Sequence, residues 1–199
     1  KGLMLPPGLS FNAVSQKAMA ANKTASLQRS YWDWADMAGP NRTGYFPYTP
    51  STNLLYGLNE AIDMLHEEGL DNVFSRHQRH GRAARAAVRA WGLEVLCSKQ
   101  GQESGVLTAV LMPEGHSADQ FRAKTLENYN MSLGNGLSKV ANRVFRIGHL
   151  GDFNDLMLMA TLSGVEMGLA KADVPHTAGG ISAAMASLQG GGQSSIAAE

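Results

Sequence analysis

Between Thr49 and Trp91 the sequence spells two long helices with one glycine between them. Thr49 and Pro50 make a helix start, since threonine caps well and proline suits the first helical position. Behind them Leu54, Leu58, Ile62 and Leu65 recur at three- and four-residue spacing, which is one apolar helix face. Gly69 ends that helix. The second helix is predicted from about Asp71 to Trp91. Val73, Ala84, Val88 and Trp91 turn inward, and His77, Arg79, His80, Arg82, Arg85 and Arg89 mostly outward.

The flanks supply the strands. Residues 9–14 are short and apolar after the Pro6-Pro7-Gly8 turn and predict a strand. Ser15 is the expected cap of a helix through Leu27. Residues 41–49 carry glycine, proline and three aromatics, an ordered loop. Beyond Trp91, residues 94–97, 106–112 and 143–147 read as strands. Residues 117–130 and 152–172 read as helices, the second capped by Asp152 and closed by Lys171. From Gly179 the chain turns to glycine, alanine, serine and glutamine, and no internal repeat is visible. This order is that of an α/β chain. The expected division is 1–68, 69–188, and a disordered tail at 189–199, with the boundary near Glu68.

Composition narrows the function. A length of 199 residues fits one to two domains of ~100–200 residues. Seventeen Lys and Arg balance seventeen Asp and Glu, which argues against a binder of nucleic acid backbones. No apolar run reaches the ~20 residues of a membrane helix. The single cysteine, Cys97, excludes an internal disulfide framework and a cysteine-only zinc site, and fits a reducing, cytoplasmic setting. The opening Lys-Gly-Leu-Met-Leu-Pro-Pro-Gly has no signal-peptide pattern and reads as the interior of a longer protein.

Three positions along the chain stand out chemically. Lys1 is followed by small, apolar and rigid residues, surroundings that favour the neutral amine of a Schiff-base lysine. The ordinary alternative is an exposed amine. Thr49 stands where a helix N-terminus offers free N–H groups to a phosphate; the alternative is a plain helix cap. Arg143 and Arg146 occupy an otherwise apolar strand, where a charge needs a partner. At three-residue separation they point to opposite faces, so one can meet solvent and the other a carboxylate in a cleft. A structural ion pair is the alternative.

The remaining candidates read as structural. His149 and His176 are expected to be hydrogen-bonded structural histidines. His77, His80 and the arginines around them are expected to form a solvated face, with no third metal ligand in evidence. Met157, Met159 and Met167 are expected in the core. Gly134-Asn135-Gly136 reads as a flexible turn.

The Lys1–Leu9 stretch resembles the segment that begins at the cofactor lysine of class V pyridoxal-phosphate aminotransferases. Residues 44–50, 143–151, and 164–168 running on to 174–176 agree with that family in order and spacing. The resemblance covers nearly all of residues 1–188 and is closest to the serine–glyoxylate branch. It implies the C-terminal part of a fold-type I transferase: the end of the large cofactor domain and the small C-terminal domain. It implies pyridoxal 5'-phosphate on Lys1, a phosphate contact from Thr49, and the substrate α-carboxylate on Arg146, leaving Arg143 to solvent. Some members have a tyrosine at the position of Phe46; here Tyr45 or Tyr48 is the remaining source of that hydroxyl.

The expected reaction is transamination from L-serine to glyoxylate in a homodimer with shared active sites. The substrates are small amino and 2-oxo acids, with no nucleic acid, membrane or metal involved. An alanine–glyoxylate or other small-substrate aminotransferase is the alternative, as is a non-catalytic piece lacking the upstream cofactor site. A desulfurase would need a reactive cysteine on a mobile loop, a poor match for Cys97 beside a strand.

Overall fold

The computed structural model describes residues 1–99 and 101–190, so most of the expected tail lies outside the described residues. The chain forms two compact units, one from Lys1 and Leu3–Asp63, the other from Met64 onward.

The first unit is helical. α1 (Gln16–Thr24) is capped by Ser15, whose hydroxyl accepts from the Ala18 amide at 3.2 Å. α2 (Trp34–Asn41) is capped by Asp33, which also accepts from Asn22 on α1 at 3.1 Å and from Arg29 at 3.0 Å. Residues 9–14 form no strand. No strand lies among the described residues of this unit, so an extended segment there has no ladder partner. α3 (Thr52–Glu68) begins three residues later than Thr49, so Thr49 is not its cap. The α3 face packs against the opening segment: Leu54 crowds Gly8, and Leu5 crowds Gly57. Ile62, expected on that face, is exposed, and Ala61 is the buried residue instead.

The second unit holds the core. Gly69, at φ 82°, breaks α3 from α4 (Leu70–Ala90) in the left-handed region that only glycine adopts freely. β1 (Glu94–Val95), β2 (Leu107–Leu111), β3 (Gly134–Asn135) and β4 (Val144–Gly148) form an antiparallel sheet in the order β1-β2-β4-β3. The predicted strands are therefore present, though shortened at 94–97. The Gly134-Asn135-Gly136 stretch, expected as a turn, supplies the fourth strand, because glycine at 134 lets the chain lie close to Arg146.

α5 (Ala118–Tyr129), α6 (Asp155–Lys171) and α7 (Gly180–Leu188) complete this unit. Asn154, not Asp152, caps α6, accepting from the Met157 amide at 2.9 Å. Pairing sets Val110 opposite Phe145 and Thr108 opposite Ile147, so these four share one sheet face. Val110, Phe145 and Ile147 are fully buried there with Trp91, Phe121, Leu158, Leu162 and Leu169. Burial of large apolar side chains at ~1.5–3 kcal/mol each makes this layer the main stabilising element. Met157 and Met167, expected in the core, are about half exposed, whereas Met159 packs against it.

Candidate active site

Arg146 lies on the sheet face opposite the apolar layer, paired across β4 with Ala109 on one side and Gly134 on the other. Its Nε donates to the Asn135 carbonyl at 2.7 Å. Among the described residues no carboxylate lies within salt-bridge distance of it. The ion pair that would have made it purely structural is absent among those residues. Arg143 is exposed just ahead of β4, as expected.

In the first unit, residues 44–50 with Thr52 and Leu55 line an open concavity of about 730 Å³. Tyr45, Tyr48 and Thr49 are thus brought together, and Phe46 lies among them. Tyr48 packs on Tyr31 with ring centroids 4.9 Å apart. None of the lining residues is acidic. Thr52, the first residue of α3, also lines it, and no acidic residue occupies the first turn of that helix. Lys1 is exposed rather than enclosed by its apolar neighbours. Its carbonyl accepts from the Met4 amide at 2.9 Å, closing a tight turn.

Part of the α4 face expected in solvent is instead buried and bonded. His77 and His80 fall on the Val73, Ala84, Val88 stripe and are buried with it. His77 donates through Nδ1 to the Val73 carbonyl at 2.7 Å and accepts the Gly151 amide on Nε2 at 3.1 Å. Arg76 holds Glu68 with two nitrogens, at 2.6 and 2.7 Å. Its third reaches the Gly151 and Phe153 carbonyls at 2.9 and 2.8 Å. Arg79 grips Asp155 at 2.8 and 2.7 Å, and His80 donates to the same carboxylate at 2.8 Å. The Arg79 guanidinium, helped by His80 and opposed by burial, holds the Asp155 carboxyl down at about 2. Arg85 is buried too, donating to the Ser104 carbonyl at 3.1 Å; Arg82 and Arg89 remain outward. No metal-holding group of acids, histidines and cysteine occurs among the described residues. α4 thus clamps the segment that follows the Arg146 strand.

His149 is fully buried, with Nε2 3.0 Å from the Thr108 hydroxyl. Burial drives its pKa down to about 4. His176 Nδ1 meets the Val174 carbonyl at 2.8 Å. Both are structural, as the sequence suggested. Cys97 is half-buried, its thiol 3.7 Å from the Lys99 carbonyl. Glu166 went unrecognised in the sequence, although it is the one charged residue between the ends of α6. It accepts Trp91 Nε1 at 2.6 Å and the Gly179 amide at 3.1 Å, capping α7 from another helix.

No helix among the described residues is long and apolar enough to cross a membrane. No family model matches the chain. It is 48% identical over 195 residues to a serine–glyoxylate aminotransferase of Methylorubrum extorquens, covering 95% of this chain and 48% of that one. It is 45% identical to an L-aspartate–glyoxylate aminotransferase of Paracoccus denitrificans, covering 92% and 47%. In structure it matches a pyridoxamine–pyruvate aminotransferase of Mesorhizobium loti at TM-score 0.89 and 30% identity, over 96% of this chain and 50% of that one. The chain spans about half the length of the curated relatives it matches. On this likeness in sequence and fold, the chain belongs to the class V aminotransferase family.

Proposed function

We propose that the protein carrying this chain transfers the amino group of L-serine to glyoxylate, giving hydroxypyruvate and glycine, with pyridoxal 5'-phosphate as cofactor. The observation that carries this reading is Arg146, a cation on a sheet face with no acid beside it among the described residues. Both substrates carry a carboxylate, and a planar guanidinium matches that group with two parallel hydrogen bonds. The 48% identity to a serine–glyoxylate aminotransferase supports the substrate pair.

The residues present fit the cofactor. A phosphorylated aldehyde needs an amine and neutral or positive donors; Thr49, Tyr48 and Tyr45 offer three hydroxyls in a lining without a carboxylate, and Lys1, in the same unit, offers the amine. Thr49 would serve from the loop, not as a helix cap. When bound, the cofactor withdraws electrons from the substrate α-carbon as its proton leaves. Lys1 would hold the cofactor and then, as a free ε-amine, take and return that proton. Arg146 would fix the substrate carboxylate, converting a collision into a positioned transfer.

In this reading residues 1–68 close the large cofactor domain and 69–188 form the small C-terminal domain. The assembly is a cytoplasmic homodimer with shared active sites. The exposed rings of Tyr31, Trp32, Tyr45 and Tyr56 support an interface on the first unit. The amino donor is the point at which a second reading enters, because a relative of nearly equal identity is named for L-aspartate. The test uses the complete polypeptide, purified with its cofactor and given L-serine, L-alanine or L-aspartate singly. Loss of the cofactor's visible band with serine, its return on adding glyoxylate, and release of hydroxypyruvate establish the reading. A band that responds to another donor and not to serine replaces serine; a band that responds to none refutes transamination of these acids.

A further inference from the structure

We propose that Gly134 and the main-chain carbonyl of Asn135 form a cradle that dictates how Arg146 meets a carboxylate: end-on, through its two terminal nitrogens. The inference rests on the reading of Arg146 as the carboxylate residue and adds the device that aims it.

An arginine can take a carboxylate side-on, with Nε and one terminal nitrogen, or end-on, with both terminal nitrogens. Here Nε is already committed to the Asn135 carbonyl at 2.7 Å. Only the outer edge of the guanidinium is left for a bidentate partner. The carbonyl belongs to β3, the edge strand, which pairs Gly134 with Arg146 and Asn135 with Phe145. Residue 134 must be small for this to happen. A Cβ there would stand 3.1 Å from both Cβ and Nε of Arg146 and 3.5 Å from Cζ. The side chain therefore lies flat across the strand at the one position without a side chain.

The edge strand is itself pinned. Arg122, on α5, donates to the Leu133 carbonyl at 2.8 Å and pairs with Asp119 at 3.0 Å. Gly134 and the Asn135 carbonyl thus act through Arg146 as positioning elements. An aimed guanidinium discriminates a planar carboxylate from an uncharged amide, since the amide offers one acceptor and two donors.

The test compares Gly134→Ala, Arg122→Gln and Arg146→Lys in the complete protein with its cofactor, using glycolate and glycolamide as competing probes. In Gly134→Ala the added methyl pushes the guanidinium out of line. The KM values for L-serine and glyoxylate should rise together by about tenfold with kcat within about twofold. The inhibition constant of glycolate should rise by the same factor while that of glycolamide stays put. A fold defect would lower kcat without this split. Arg122→Gln leaves residue 134 intact but frees the Leu133 carbonyl, and should move both KM values in the same direction, so the cradle stays testable if Gly134→Ala does not fold. If Arg146→Lys leaves both KM values unchanged, the carboxylate reading of Arg146 fails. If Arg146→Lys raises them and neither Gly134→Ala nor Arg122→Gln does, the cradle is overturned.

Discussion

The Gly151 amide donates to Nε2 of His77 at 3.1 Å, tying the segment after β4 to the inward face of α4. The ring's other nitrogen faces the Val73 carbonyl, so it carries the hydrogen and leaves Nε2 as acceptor. His77→Leu keeps the volume and strands the Gly151 amide in a buried place. The expected loss is about 2 kcal/mol, within the cost of an unsatisfied buried polar group. Urea unfolding should show a lower midpoint with an unchanged slope. An unchanged midpoint would mean that water reaches Gly151.

His149 sets an acid limit on stability. Burial holds its pKa at about 4 against an ordinary 6.5, so the folded protein keeps it neutral while the unfolded chain binds a proton. Its contribution is complete above pH 6.5 and is lost as pH falls from 6.5 towards 4. That loss reaches about 3 kcal/mol at the lower end. His149→Gln should flatten this part of the stability profile. A shallower slope remains from His80, whose pKa burial also lowers. Equal slopes for the parent and His149→Gln would show that His149 does not titrate this way.

Glu166 caps a helix to which it does not belong. α7 begins at a glycine without a side chain of its own, and Glu166 accepts the Gly179 amide and the Trp91 indole together. Glu166→Ala should cost about 2 kcal/mol, as for a lost strong cap. Amide exchange should accelerate first in residues 180–188. Gly180→Ala should be at least as damaging, since a Cβ there would run into the Trp91 indole at Nε1.

Lys1→Ala in the complete protein should reduce turnover to background while leaving thermal stability within about 1 kcal/mol, because the side chain is exposed. Substantial steady-state turnover by that variant would refute the role of Lys1.

The helices were largely legible because apolar spacing is local. The Val73, Ala84, Val88 stripe marks the inward side of α4 without knowledge of its partner. The fate of His77, His80 and Arg85 was not legible from residue type, which favours solvent for such side chains. Their partners are backbone groups and an acid far along the chain, and only the fold brings these together. Residue spacing did contain a hint, for both histidines fall on the apolar stripe. Arg146 was readable as a charge in an apolar strand. Gly134 was not, because glycine signals a turn unless a neighbouring strand is known to need the room. Thr49 misled because Ser51 and Thr52 follow it, and the helix takes the later start.

The acceptor that aims Arg146 is a main-chain oxygen. Every amino acid at position 135 brings that oxygen, so no substitution there can delete it. The heritable control of this orientation is displaced to residue 134 and to strand register. Variation at 135 is free to serve solubility or neighbouring contacts, while a one-residue slip of the edge strand would retune the arginine without altering it.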